Sequence, residues 1–244
     1  MNLERIPNKD KASKYDMFPI IKKLEATNTD ILDVGNFKQL SQEVSSSLFH
    51  QAVSVIEKSF GQNYKEDLSD QDVRDFLSNG HLYLIINNQR DIIGIELLQL
   101  LDIEGVEIMY TGGAAIDPAY QGKNIHSDFR DYMIERNKPQ YIAGRTQNPI
   151  VYKVYCKSPG TVYPDPKTSV PTHIQKLAMK ISETLHMTNF NPTTLIQKEA
   201  YGGAVYGKDR YPVIDIDSDT SKMFSQLEIE KGDAFLILKS LEEN

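Results

Sequence analysis

The stretch Ile116-Asp117-Pro118-Ala119-Tyr120-Gln121-Gly122-Lys123-Asn124-Ile125-His126 decides how the rest of the chain is read. Ahead of it, Val106–Ile116 has the β-branched and apolar content of a strand, interrupted by Gly112-Gly113, and Asp117-Pro118 ends it. Behind it, over Ile125–Asn137, Phe129, Met133 and Ile134 recur on one helical face. A strand that turns tightly into a helix leaves the first helical N–H groups without intrahelical acceptors, and the helix dipole places partial positive charge there. Such an end binds anions, a pyrophosphate among them. An ordinary strand-to-helix connection accounts for the same residues, so the loop alone does not choose between the two.

Upstream, Leu48, Phe49, Val53, Ile56 and Phe60 space a helix over residues 45–60 that stops before Gly61. Ser69 reads as a cap for a shorter helix to Leu77. His81–Asn87 and residues 92–101 are β-rich, with Asn87-Asn88-Gln89-Arg90 as a hairpin turn between them. Downstream, residues 140–146 read as a short strand and 149–157 as a short helix opened by Pro149. The order predicts an α/β (α+β) fold whose mixed central sheet combines hairpins with one strand–helix–strand crossover. Residues 1–36 read as a polar N-terminal extension with a helix near 19–27, and residues 37–165 as the core. Residues 166–244 read as a C-terminal elaboration: a proline-marked loop, a helix over 173–186, a Gly- and Tyr-containing loop at 201–211, and a terminal strand over 234–241 that completes the sheet.

Composition narrows the function. The 244 residues are 40% hydrophobic and 25% charged, ordinary for a globular protein. The apolar runs are strand-length, so no membrane partner is expected. No apolar segment follows the charged residues 1–10, which with a single cysteine predicts a cytoplasmic protein without disulfides. Lys and Arg number 27 against 34 Asp and Glu, which argues against a nucleic-acid partner. The acidic balance of −7 fits a cationic substrate, and equally fits mere solubility.

The quoted stretch resembles the acetyl-coenzyme A loop of the GCN5-related N-acetyltransferase (GNAT) superfamily, whose pattern is Gln/Arg-x-x-Gly-x-Gly/Ala. Gln121 matches its first position, followed by Gly122 and Lys123, while Asn124 and His126 replace the small residues at the fourth and sixth. Asn tolerates a left-handed backbone; His126 is the larger departure. Family members often carry an Asn at the end of the next strand, a Tyr seven residues on, and a basic residue two further. Asn148, Tyr155 and Lys157 stand at those spacings. The resemblance covers residues 37–162 and extends to the last strand.

It implies a GNAT-like sheet in which the parallel strands Val106–Ile116 and 140–146 splay apart, flanked by helices, with acetyl-CoA or another acyl-CoA as co-substrate. Backbone groups at Ala114, Ala115 and Ile116 would take the pantetheine arm. The loop residues Gln121, Gly122, Lys123, Asn124, Ile125, His126 and Ser127 would take the phosphates. Gly112-Gly113 supplies either the bulge that opens the strand or close packing against a helix. The implied reaction is acyl transfer to a small-molecule or peptide amine by direct attack, with Tyr155 as general acid and Asn148 contacting the co-substrate. Some members place a catalytic glutamate where Tyr110 stands here. Glu107, three residues upstream, and Glu96 on the preceding strand are the candidates for a base, each with the alternative of a solvent-facing strand residue. A non-catalytic CoA-binding or protein-interaction domain is the second reading, and an unrelated α/β phosphate-binding protein the third.

Other signals are set aside. His126-Ser127-Asp128 are consecutive on a helix and cannot form a triad. Asp215, Asp217 and Asp219 lack the Gly and Glu of a calcium loop and read as a polar strand end, and no metal is expected. Cys156 reads as a buried, inert thiol. Tyr201, Tyr206 and Tyr211 with Gly202, Gly203 and Gly207 form either an acceptor pocket or a structural loop.

Overall fold

Local chemistry sets where the elements begin and end. In the computed structural model, which describes residues 15–64, 66, 69–207 and 217–241, helix α1 (Gln42–Phe60) opens on Ser41, whose hydroxyl accepts from the Val44 N–H. It closes at Gly61 with φ 65°, a left-handed cap. Ser69 and Asp72 form a reciprocal capping box on α2 (Asp70–Leu77).

The sheet starts earlier than the sequence suggests. The helix expected near residues 19–27 is a strand, β1 (Ile20–Leu24), turning at Asn28 into β2 (Thr29–Gly35). Ile31, Leu32 and Val34 are buried through β2's long-range pairing with β3 (His81–Asn87), a contact that local periodicity does not contain. A turn with left-handed Arg90 leads to β4 (Ile92–Ile103), and left-handed Glu104-Gly105 turns it into β5 (Val106–Ile116). Then come α3 (Ile125–Asn137), β6 (Tyr141–Thr146), α4 (Pro149–Cys156), β7 (Val162–Tyr163), α5 (Thr172–Thr184), β8 (Phe190–Asn191), β9 (Ile196–Gln197), α6 (Ser218–Phe224) and β10 (Ala234–Ser240).

Among the described residues ten strands form one sheet in the order β1-β2-β3-β4-β5-β6-β10-β9-β8, with β7 also on β10. The pairs from β1 to β5 are antiparallel, β5 and β6 are parallel, and β6 with β10 is antiparallel. The expected fold class, a mixed α/β sheet with flanking helices, is what the structure shows. One face is covered by α1 and α2 over Leu82, Leu84, Ile95 and Leu97, and by α5 over Ile108, Tyr110, Leu236 and Leu238. The other carries α3, α4 and α6 over Tyr83, Ile85, Met109, Ile142 and Phe235. The terminal strand lies inside the sheet, between β6 and β9.

Two smaller expectations are corrected. Asp217 is the N-cap of α6, accepting from Thr220 N–H, and not a strand end. Cys156, at the last turn of α4, is exposed. Tyr211 and Asp215 lie outside the described residues.

Candidate functional site

The parallel pair β5/β6 is short. It runs in register from Ile108 with Tyr141 to Thr111 with Gly144 and then stops, although both strands continue. The divergence starts at a bulge: Leu97 pairs Gly113 and Leu98 pairs Thr111, which leaves Gly112 as the extra residue of β5. Asn79 pins it, its amide donating to the Gly112 carbonyl at 2.6 Å. A Cβ on Gly112 would run into the Asn79 carbonyl, and one on Gly113 would meet the Phe76 ring at 2.6 Å. Both readings of the glycine pair therefore hold, a bulge and close packing. Beyond the bulge Gly112, Gly113 and Ala114 are half-buried, in a strand with the sheet on both sides. That exposure marks a groove.

Ala115 is buried against the α1–α2 layer. The Asp117 N–H bonds Ile93 O at 2.8 Å, so by antiparallel alternation Ala115 also faces β4 while Ala114 and Ile116 face the groove. The Ile116 N–H, expected to take the pantetheine arm, instead donates to Ser59 Oγ at 3.2 Å. Ala114 is left as the groove-facing backbone donor of the three.

From β5 the chain passes through a 3-10 turn at Pro118–Tyr120, capped by Asp117, whose carboxylate also pairs with Lys58 at 3.1 Å. Gln121 turns back and donates from its side chain to Ile116 O at 2.8 Å, so it closes the loop on itself. Gly122 has φ 75° with open space where a Cβ would sit, and Asn124 has φ 62°. Asn124 gives α3 no side-chain cap. The first intrahelical bond runs from Asp128 N to Asn124 O, so helix geometry leaves the N–H groups of Ile125, His126 and Ser127 at an end whose preceding residues are exposed. The Lys123 ammonium lies over the Tyr120 ring, 4.7 Å from its centre.

His126 turns inward. Its Nδ1 meets Glu96 Oε1 at 2.7 Å, with Glu96 fully buried and the imidazole side chain 30% exposed. Burial alone would lower the His126 pKa, but the Glu96 carboxylate overrides it by charge and hydrogen bond; Arg130 opposes and Asp131 adds, and the net shift is upward from 6.5. Arg130, one turn along α3, is buried and reaches Asp131 through Nε and Nη2 at 3.2 and 3.1 Å. Among the described residues Arg130 Nη1 and Glu96 Oε2 are buried without a hydrogen-bond partner.

Tyr155, on the last turn of α4, reaches the point where the strands part. A Cβ on Gly144 would stand 2.8 Å from its hydroxyl, so only glycine leaves the phenol its place. Burial pushes the phenol up to about 12, against a hydrogen bond with Thr111 and the charge of Arg130. Glu96 and Tyr110 act on it in the raising direction. Tyr155, Thr111, Arg130, Glu96 and His126 thus make one polar group in the α3–α4 face.

Two candidates stand apart from that group. Asn148 caps α4, accepting from Ile150 N–H at 2.8 Å, and donates to the Tyr206 hydroxyl at 3.0 Å, so its amide is held by the protein itself. Glu107 is exposed near the start of β5, opposite Asp102 and four positions upstream of Thr111, roughly 13 Å along a strand. Glu96, not Glu107, is the carboxylate the fold brings to the site. Its sequence signal is a lone charge inside Ile92-Ile93-Gly94-Ile95-Glu96-Leu97-Leu98. Arg130 carries no such signal on a helix rich in charge. Among the described residues no group of three or more His, Cys, Asp or Glu is placed to hold a metal ion, and no helix is long and apolar enough to cross a membrane.

No family model matches the chain, and no curated protein matches it. Solved structures to which it is similar include an IAA acetyltransferase from Bacillus cereus, at 12% identity and TM-score 0.43, covering 87% of this chain and 99% of that one. A GNAT-family acetyltransferase from Staphylococcus aureus stands at 14% and 0.43, over 88% and 99%. The ribosomal-protein-S18-alanine N-acetyltransferase from Escherichia coli stands at 10% and 0.39, over 88% and 96%. At those scores the superpositions decide nothing about the site, whose reading rests on topology and side-chain geometry.

Proposed function

We propose that this chain is an acyl-CoA-dependent N-acyltransferase that moves an acetyl or other acyl group from a CoA thioester to an amine by direct attack. One observation carries the reading: the parallel strands part at Thr111 and Gly144 beside the Tyr155 phenol, and the strand that leaves the parting ends at the open N-terminus of α3. A long thin ligand with an anionic head and a reactive tail matches that groove.

The fit is tested by the residues present. Left-handed Gly122 and Asn124 leave the N–H groups of Ile125, His126 and Ser127 for a pyrophosphate, and Lys123 adds charge. His126, bulky in sequence, does not fill the loop, because its ring is drawn down to Glu96. An amide of the pantetheine arm has one donor and one acceptor, the complement of the orphaned Glu96 Oε2 and Arg130 Nη1, with Ala114 N–H beside the same groove.

In the reaction the amine nitrogen bonds the thioester carbon and the C–S bond breaks. The proton lost by nitrogen passes to solvent water, while the His126–Glu96 pair braces the groove wall. Tyr155 donates to the departing thiolate, and its phenol is restored from solvent. A phenol pushed up to about 12 is protonated at every working pH. Glu107 has no part in this scheme.

The test is acetyl-CoA titration by calorimetry and thermal shift, followed by thiol release with a panel of amines. A ligand that binds the native state raises apparent stability, so no shift at saturating acetyl-CoA overturns the reading. Binding with thiol release that depends on the amine is the expected result. Binding without release from any amine would point instead to a non-catalytic CoA-binding domain.

A further inference from the structure

Resting on that reading, we infer that the acceptor amine carries a carboxylate, and that Arg145 on β6 binds it. Arg145 is the first residue of β6 past the last β5 pair, and its neighbours place it on the face opposite Tyr155. Its Nε donates to the Tyr110 hydroxyl at 3.0 Å and its Nη1 to Gln197 Oε1 at 3.0 Å. The Tyr201 ring lies 5.4 Å from the guanidinium carbon. Tyr110 and Gln197 are themselves buried, at 2% and 4% exposed. Neutral groups thus hold the guanidinium in one orientation.

Among the described residues this arginine has no counter-ion. Arg130 has Asp131, Lys198 has Asp233 and Lys153 has Asp217, but among the described residues no carboxylate lies within 4.0 Å of Arg145. Burial works against its charge, and the Tyr110 hydroxyl, which accepts from Nε, supports it. A half-buried cation fixed by neutral partners is a site for an anion supplied from outside. The position suits an acceptor. Tyr155, the donor's proton source, stands on one face of the parted strands and Arg145 on the other. An amine entering from the Arg145 face with its carboxylate on the guanidinium meets a thioester laid in from the α3–α4 face. The local charge thus selects an anion, contrary to what the net charge of −7 suggests.

The experiment compares matched pairs that differ in one carboxylate: L-phenylalanine with 2-phenylethylamine, L-leucine with isopentylamine, β-alanine with ethylamine. With acetyl-CoA saturating, the acid of at least one pair should exceed its amine in kcat/KM by roughly 10–100-fold, the scale of a lost charged hydrogen bond. Arg145→Met should abolish that preference while the acetyl-CoA Kd stays within about twofold, and Arg145→Lys should restore part of it. A second arm needs no turnover: binding of the N-acetyl acids against the N-acetyl amines, by ligand-observed NMR, to the wild type and both variants. Acid selectivity lost in Arg145→Met supports the inference; equal binding of acids and amines overturns it. Thiol release with no carboxylate preference overturns the inference and leaves the acyltransferase reading standing. Failure to bind acetyl-CoA overturns that reading, and the NMR arm still decides the anion site. If Arg145→Met does not fold, Arg145→Lys carries the comparison, since it keeps the charge and loses the fork.

Discussion

His126 shows what a single residue gains from its surroundings. On the loop pattern it is a bulky replacement for a small residue; in the fold it is a half-exposed imidazole tied to a fully buried carboxylate. Its pKa is raised above 6.5. The imidazole titration followed by NMR should therefore lie at higher pH than an ordinary histidine gives, and Glu96→Gln should move it to lower pH. Tyr155, pushed up to about 12, should impose no descending limb of kcat/KM near neutrality. A pKa raised by folding also adds stability that is complete below pH 6.5 and is lost as pH rises through the folded value. Melting temperature against pH should show that loss in the wild type and not in Glu96→Gln. Tyr155→Phe keeps the packing and removes the hydroxyl, so kcat should fall by roughly 10²–10⁴-fold with acetyl-CoA affinity little changed. Equal kcat values would end its role as acid.

At the scale of the element, the loop and the two strand ends separate shape from stability. Gly122 and Gly105 both have positive φ and open space where a Cβ would sit, yet only Gly122 lies in the loop proposed to bind the phosphates. Valine at either should cost roughly 1–2 kcal/mol of left-handed strain. Only Gly122→Val should also weaken acetyl-CoA binding, which denaturation and calorimetry on the pair would establish. Gly144→Ala tests the parting of the strands: its methyl would press on the Tyr155 hydroxyl from 2.8 Å. The expected result is a kcat loss approaching that of Tyr155→Phe, with thermal stability reduced less than by a cavity mutation. Helix α3 illustrates a limit of pattern reading. Its apolar stripe through Phe129 and Met133 is legible, but the inward-facing His126 and Arg130 look like solvent-facing polar residues until the sheet is placed beneath them.

Across the whole molecule the last strand holds the site together. Lys239, on β10, is fully buried and donates to the Tyr155 carbonyl at 2.7 Å, the Ser158 carbonyl at 2.7 Å and the Ser158 hydroxyl. Burial pushes its ammonium below the usual lysine value. Those bonds tie the C-terminal end of α4, and with it Tyr155, to a strand 84 positions away in sequence. Lys239→Met should cost roughly 1–3 kcal/mol, because the acceptors stay buried without a donor. The urea midpoint measures that cost, and kcat should fall with it as Tyr155 loses its anchor. What the sequence by itself determined is the local part: the strand–turn–helix around Gln121, the hairpins, the cap at Ser69, the helix opened by Pro149, and the glycine pair that bulges β5. Each depends on a few neighbouring residues and their backbone preferences. Tertiary structure alone decided that residues 29–35 are a strand, that Glu96 and not Glu107 reaches the site, that His126 turns inward, and that Arg145 meets Tyr110 and Gln197 with no carboxylate beside it among the described residues. Those contacts join residues 30 to 58 positions apart or farther along the chain, and nothing in local periodicity records which face of a strand another element will cover.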